Sequence, residues 1–136
     1  MSETTRTRFD IVAKRDEEHV VYGWAMVSKT PSGRDVVDLQ GDVIDPYDLE
    51  RAAIDFMVTS RDSGVMHKGA PVATAVASLV TTPEITKALG VPEGVLPVGW
   101  VIGVKIHDGE TWDMVKRGDL RMFSIEGTAD RVPVAA

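Results

Sequence analysis

The sequence predicts an α+β domain, built on a mostly antiparallel bent sheet or β-barrel with about three short peripheral helices. Three observations predict this class. Several short segments have the apolar patterns of strands, and three others begin with helix-capping residues. The two kinds of segment do not follow the regular β-α-β order of a parallel sheet. The length of 136 residues suits one domain, so we treat 1–136 as a single unit with an ordered core at about 8–130.

Two strands are predicted at the start of the chain, at 8–14 and 19–28, separated by a charged turn at 15–18. The second strand has apolar residues on both faces, so we expect it to be buried on both sides. A loop rich in Pro, Ser and Gly follows at 29–35.

The first helix is predicted from its capping residues. Asp45 suits the N-cap, Pro46 the first helical position, and Asp48 the acidic position of a capping box. The helix should end before Ser63-Gly64. Apolar residues at helical spacing predict one face toward the core: Leu49, Ala52, Ala53, Phe56 and Met57.

The second half of the chain predicts further short elements. A short segment at 65–67 precedes a strand at 72–80, a short helix from Thr82 to Gly90 and a Pro/Gly connection. A helix at 111–117 and a last strand at about 120–128, ending in a turn at Ala129-Asp130, complete the prediction. The strand at 98–107 has the cleanest alternation, with Val98, Trp100, Ile102, Val104 and Ile106 on one face.

Composition excludes several classes of function. A net charge of −6 argues against a nucleic-acid partner bound through phosphate neutralisation. The absence of Cys excludes disulfides, thiolate nucleophiles and cysteine-ligated zinc. No apolar run approaches the roughly 18 residues of a membrane span, and the start lacks a hydrophobic signal core, so we expect no membrane partner and a cytoplasmic location. The acidic residues of 35–50 predict a solvated surface or, alternatively, one for a basic or metal-bearing partner.

The three histidines differ in their surroundings. His19 starts a strand beside an acidic turn, and His107 ends one beside Asp108-Gly109, so we expect both at the surface. His67 lies in a short segment before Lys68-Gly69, in the kind of loop position where catalytic side chains often lie. A structural role for His67 is the alternative.

Ser124 lies within an apolar strand, where a serine is often a small hydrogen-bonded core residue. Two neighbours favour a functional role: Glu126 shares its strand face, and Gly127 permits close approach of another backbone. A serine nucleophile needs a base, which in this chain is a histidine or a carboxylate. The residues therefore permit a Ser/His hydrolase without requiring one, since the chain has no GxSxG, P-loop, GxGxxG or HExxH motif.

Motifs spread along residues 8–130 resemble, in their order, those of phage prohead (capsid-maturation) serine proteases. The resemblance is greatest to the XkdF-like branch, and it implies a fold related to that of herpesvirus assemblin. The motifs are Tyr22–Ala25, Asp38–Asp42, Met66–Gly69, Gly99–Ile106, Trp112 and Arg121–Gly127.

The resemblance implies a catalytic pair, with Ser124 as nucleophile and His67 as base, and no cofactor. A third member is left open between Glu126, Asp130 and His107. By the same resemblance, Arg131 would help to stabilise an oxyanion. We interpret Asp38–Asp42 as structural, with Gly41 in a turn and Asp42 in local backbone bonds.

The implied function is capsid maturation: an endopeptidase that cleaves segments of scaffolding and major capsid proteins, and also itself. Its location would be the host cytoplasm, within the assembling procapsid, and the herpesvirus enzymes suggest a homodimer. The alternative is a non-catalytic phage assembly or scaffolding module with the same fold. A small-molecule hydrolase using the same pair is a further alternative, and the chain could be part of a longer polyprotein.

Overall fold

The computed structural model describes residues 2–38, 41–62, 64–67, 70–120 and 122–130, and it describes their side chains except in 2–10, 67 and 122–130. The strands are β1 (Ser2–Arg15), β2 (Val20–Lys29), β3 (Val65–His67), β4 (Ala70–Val80), β5 (Val98–Ile106) and β6 (Met122–Asp130). The helices are α1 (Pro46–Thr59), α2 (Pro83–Ala88) and α3 (Gly109–Lys116). The predicted α+β class, with an antiparallel sheet and three helices, is confirmed.

The strands form an antiparallel barrel in the order β1-β2-β5-β4-β3-β6, which the pairing of β6 with β1 closes. The pairing of β1 with β6 runs without a register shift from Ser2 opposite Asp130 to Asp10 opposite Met122. This ladder explains two wrong predictions, since β1 starts before residue 8 and β6 continues through the turn predicted at 129–130. Each segment becomes a strand because the other satisfies its backbone hydrogen bonds.

The interior of the barrel contains the residues that alternation along β5 predicted. Trp100, Ile102, Val104 and Ile106 are all buried, with Ile102 and Val104 fully so. They join residues of β2, β3 and β4 in one core cluster. Burial of each such side chain contributes about 1.5–3 kcal/mol relative to exposure, so this strand is the centre of the core.

The outer face of β2 is covered by its own aromatic side chains rather than by another layer. Val21 and Ala25 are buried inside the barrel, whereas Tyr22 and Trp24 are only half-buried. The predicted burial of β2 on both sides therefore holds on the outer face only at Val20 and is incomplete at the two aromatic residues. On β5, a Cβ at Gly103 would lie 2.7 Å from the Tyr22 ring, and one at Gly99 would lie 3.1 Å from the Trp24 ring. The two glycines let the rings lie flat on the neighbouring strand, an arrangement known to stabilise sheets.

Helix α1 begins as predicted, because the Asp45 side chain accepts hydrogen bonds from the backbone N–H groups of Tyr47 and Asp48. The Asp48 carboxylate forms an ion pair with Arg51. The helix ends at Thr59, ahead of the predicted limit. Its buried face is narrower than predicted, since Ala52 is exposed, and consists of Leu49, Ala53 and Phe56.

Contacts from α1 reach β5 and α2. The ring of Phe56 lies edge-on to that of Trp100, with 5.3 Å between centroids. The Tyr47 hydroxyl donates a hydrogen bond of 2.6 Å to Glu84 at the start of α2. This bond, together with the negative charge of Glu84, raises the pKa of Tyr47 above its ordinary value. These two contacts hold α1 against β5 and against α2.

Helix α3 begins two residues before the predicted start, because Asp108 is its N-cap. The Asp108 carboxylate accepts hydrogen bonds from the Thr111 hydroxyl and backbone N–H, and both lower the pKa of Asp108. Trp112 and Val115 enter the core cluster from this helix. Within the described part of the chain, no helix is long and apolar enough to cross a membrane.

Candidate functional site

The two residues that the family resemblance implies as a catalytic pair lie on neighbouring strands. In the pairing of β3 with β6, Val65 is opposite Ile125 and Met66 is opposite Ser124. His67 is the next residue and the last of β3, and on its other side it pairs with Ala70 of β4. The backbone of His67 is thus displaced by one residue, about 3.8 Å, from direct opposition to Ser124.

The register assigns Ser124 to the outer face of the barrel. Val65 is fully buried, and residues directly opposite one another in an antiparallel pair share a face, so Ile125 belongs to the inner face. Successive residues alternate between faces. Ser124 and its partner Met66, which is partly exposed, therefore belong to the outer face.

On its other side, Ser124 pairs with Arg8 of β1, and Glu126 pairs with Arg6. The inner-face positions of this strand pair are more apolar and include Phe9, which pairs with Phe123. The outer-face positions form a row of polar residues that only Met122 interrupts. We call this row the polar face: it consists of Ser2, Thr4, Arg6, Arg8 and Asp10 of β1 with Ser124, Glu126, Thr128 and Asp130 of β6.

His67 lies where the β3–β6 ladder ends. Strict alternation would assign it to the face opposite Met66 and Ser124. The two residue pairs of this ladder stop at Met66, so the alternation need not extend to His67. A hydrogen bond between the side chains of His67 and Ser124 would require the backbone to leave the regular strand path at this residue.

The candidates for a third catalytic residue occupy different places in the barrel. Glu126 and Asp130 are both on the polar face, and Asp130 is at the end of β6, opposite Ser2. His107 follows β5, which two strands separate from β6 in either direction around the barrel. Arg131, the predicted oxyanion residue, lies outside the described residues.

His107 is exposed, as expected, and its Nε2 lies 2.6 Å from the hydroxyl oxygen of Thr74. His19 is less exposed than expected. Its ring is partly buried because it stacks on Trp112, with 4.6 Å between centroids and 12° between planes. A sequence pattern could not reveal this contact, because it joins the β1–β2 turn to a helix far along the chain.

The Asp38–Asp42 segment contains the turn that was expected at Gly41, whose φ is +81°. The Asp38 carboxylate accepts a hydrogen bond of 2.8 Å from the Asp42 N–H, and the Asp42 carbonyl accepts one of 2.9 Å from the Asp38 N–H. Residues 39–40 lie outside the described residues. Among those that the structure describes, no cluster of three or more His, Asp or Glu residues could hold a metal ion.

Sequence reasoning missed Arg8, which directly opposes Ser124. The signal was present in residues 4–11: Thr4, Arg6, Arg8 and Asp10 are polar, and the residues between them become apolar at Phe9 and Ile11. That pattern predicts a strand with one solvent-facing side. The register of β1 with β6, however, depends on residues more than a hundred positions away along the chain, so it cannot be read from this local pattern.

Comparison with protein families matches residues 8–133 to the family described as "Putative phage serine protease XkdF". The chain is 28% identical over 133 residues to the "Phage-like element PBSX protein XkdF" of Bacillus subtilis (strain 168), a match that covers 92% of this chain and 42% of that protein. It is also 28% identical over 123 residues to the "Uncharacterized protein YqbD" of the same organism, covering 90% of this chain and 35% of the relative. The chain thus spans less than half the length of these two relatives.

Comparison with solved structures gave no match. The family match extends over nearly the whole chain, so the chain belongs to this family, described as "Putative phage serine protease XkdF".

Proposed function

We propose that this member of the family is a serine endopeptidase of phage capsid maturation, with Ser124 as nucleophile and His67 as general base. One observation carries the proposal: the pairing of Met66 with Ser124, which brings the nucleophile and the base implied by the resemblance to within one residue of direct opposition. The two residues are far apart in the sequence, and nothing local requires this pairing.

The proposed reaction is acyl transfer. His67 accepts the hydroxyl proton of Ser124 while the serine oxygen bonds to the scissile carbonyl carbon, and the carbonyl π electrons move onto oxygen. When this oxyanion collapses, the C=O bond re-forms, the C–N bond breaks, and His67 protonates the leaving amine. Water then attacks the acyl-enzyme in the same manner, with His67 taking its proton and returning it to the serine oxygen. No cofactor takes part in this scheme.

The base also needs a group that orients it. We propose an acid of β6 for this role, because β6 pairs with β3, the strand that ends at His67. His107 instead follows β5, and its Nε2 lies 2.6 Å from the hydroxyl oxygen of Thr74 on β4. Glu126 is on the polar face with Ser124, and Asp130 is farther along the same strand. Backbone N–H groups or Arg131 would hold the oxyanion.

The proposed substrates are segments of scaffolding and major capsid proteins, and the enzyme would also cleave itself. The proposed location is the assembling procapsid in the host cytoplasm. The family description and the phage-like element named in the PBSX relative support a role in phage assembly. A homodimer is part of the proposal, and it predicts that activity rises faster than linearly with protein concentration.

A non-catalytic assembly module with the same fold is the second candidate. The position of His67 favours it, because unbroken alternation along β3 would separate the histidine from Ser124 by the thickness of the sheet. In that case the polar face would serve as a binding surface.

The test is co-expression of the chain with the scaffolding and capsid proteins encoded beside it, as wild type, Ser124→Ala and His67→Ala. Fragment masses identify the cleavage sites, and thermal unfolding shows whether each variant is folded. The peptidase proposal predicts cleavage by the wild type and none by either folded variant. Intact partners with the wild type, or cleavage that persists in Ser124→Ala, would favour the assembly module.

A further inference from the structure

We infer that Arg8 is a further residue of the active site, supplying positive charge to the oxyanion that forms when Ser124 attacks a peptide carbonyl. The inference rests on the proposed function and adds to it a residue that the family resemblance did not include. It follows from the position of Arg8 in the β1–β6 ladder.

The ladder places Arg8 directly opposite Ser124. Cα atoms of directly opposed residues in an antiparallel pair are about 4.5–5.5 Å apart, and the two residues share a face of the sheet. The register has no shift between Ser2 and Asp10, so this assignment does not depend on a bulge. Ser124 therefore has β3, with His67 at its end, on one side and Arg8 on the other.

Arg8 differs from Arg6 in the residue that lies directly opposite it on β6. Both arginines belong to the polar face, but the register partner of Arg6 is the carboxylate residue Glu126, whereas that of Arg8 is the serine. Cross-strand pairs of opposite charge stabilise a sheet, which accounts for Arg6. The residue directly opposite Arg8 carries no charge, so a directly opposed ion pair does not account for Arg8.

The chemistry of the reaction suits an arginine at this position. Negative charge develops on the carbonyl oxygen beside the nucleophile, and a preorganised positive group there stabilises the transition state more than the ground state. A guanidinium group stays protonated throughout the pH range of the reaction. It can therefore hold the oxyanion without exchanging the proton that His67 carries.

The experiment compares cleavage of the scaffold polypeptide by purified wild type and by Arg8→Gln, Arg8→Lys and Arg8→Ala. Arg15→Gln is the matched control, because this exposed arginine lies on the same strand and its loss changes the net charge equally. Arg15 is opposite Val20 of β2 rather than a residue of β6. Arg131→Gln is included because Arg131 is the alternative source of charge. Thermal unfolding establishes that each variant is folded.

We expect Arg8→Gln to lower kcat about 100-fold, as the removal of one oxyanion donor does, with KM changed by less than about 3-fold. Arg8→Lys should recover part of kcat, and low concentrations of guanidinium ion should partly restore Arg8→Ala but not Ser124→Ala. Arg15→Gln should cleave as the wild type does. A purely structural role for Arg8 would not respond to added guanidinium.

Three outcomes would overturn the inference. Wild-type kcat in folded Arg8→Gln, while Ser124→Ala is inactive, would refute it and leave the proposed peptidase intact. A loss confined to Arg131→Gln would assign the charge to that residue instead. Cleavage that persists in Ser124→Ala would refute the proposed function and this inference together.

Discussion

On the outer face of β2 and β5, two half-buried aromatic rings lie over two glycines, whereas the outer face of β1 and β6 carries the arginines, acids and hydroxyl residues of the polar face. Both strand pairs belong to one barrel and both direct their other faces inward. The first pair uses its outer face for packing. The second leaves it polar and includes Ser124.

The two outer faces suggest two different roles for their residues, one in packing and one in function. Tyr22, Trp24, Gly99 and Gly103 belong to motifs that carry the resemblance, and their contacts account for them by packing alone. Packing of this kind does not explain the polar face, whose members are arginines, acids and hydroxyl residues. We therefore expect substitutions in the β2–β5 pair to change stability, and substitutions in the β1–β6 pair to change activity.

The largest loss of stability is expected inside the barrel, at β5. Ile102→Ala removes a fully buried side chain and leaves a cavity, which should reduce the free energy of unfolding by about 2–5 kcal/mol. Ile102→Val should cost only about 0.5–1.5 kcal/mol, because it deletes one methylene. Urea unfolding measures both. Equal losses in the two variants would show that the site is not closely packed.

The glycines of β5 provide the next largest effect. Gly99→Ala would place a Cβ 2.6 Å from the Met26 carbonyl oxygen, and Gly103→Ala would place one 2.7 Å from the Tyr22 ring. Overpacking of this kind costs about 1–3 kcal/mol. The loss at Gly99 should be larger, because a backbone atom cannot move aside as a side chain can.

Gly109→Ala is the control for both glycine variants, since a Cβ there would meet nothing within 4 Å. We expect it to leave stability unchanged or to raise it by up to about 1 kcal/mol. Thermal unfolding of the three variants decides the matter. If Gly103→Ala were as stable as Gly109→Ala, the aromatic cover of β5 would not have the close contact described above.

A smaller effect is expected at the start of α1, the helix whose Phe56 packs on Trp100 of β5. Asp45→Ala removes the N-cap and should reduce the free energy of unfolding by about 1 kcal/mol. Asp45→Asn should retain most of it, because an amide oxygen also caps. Urea unfolding of the two variants gives the comparison, and an equal loss in both would assign the effect to charge rather than to capping.

The smallest expected effect concerns pH and the cap of α3. The pKa of Asp108 is lowered in the folded state by its hydrogen bonds with Thr111, so its stabilisation is complete above the ordinary value of 3.8 and is lost as the pH falls through the folded-state pKa. Wild type should therefore be more stable than Asp108→Asn near neutral pH. The difference between their unfolding free energies should narrow in acid, and a difference independent of pH would contradict the assignment.

Local patterns in the sequence were sufficient to predict several elements. Alternation along β5 identified its buried residues, and Asp45 with Pro46 identified the start of α1, because both signals lie within a few residues. The extent of β1 and β6 was not predictable in this way, since each strand is completed by the other. The stack of His19 on Trp112 also joins distant segments.

The candidate site was predictable only as a set of residues. The resemblance named Ser124 and His67, but the register that sets Met66 and Arg8 opposite the serine follows from strand pairings between distant segments. One residue of difference in that register would exchange the faces of β6. Alternation along the sequence therefore indicated that β1 has a polar face. Which residues of β1, β3 and β6 lie beside one another on it was determined by the strand pairing of the barrel.

The most direct test of the Ser/His assignment is the reaction of the purified chain with a fluorophosphonate, followed by mass mapping of the adduct. An activated serine reacts with this reagent and an ordinary serine does not. We predict one adduct on Ser124 in the wild type and none in folded His67→Ala. An adduct on another residue, or no adduct at a protein concentration at which the co-expressed partners are cleaved, would contradict the assignment.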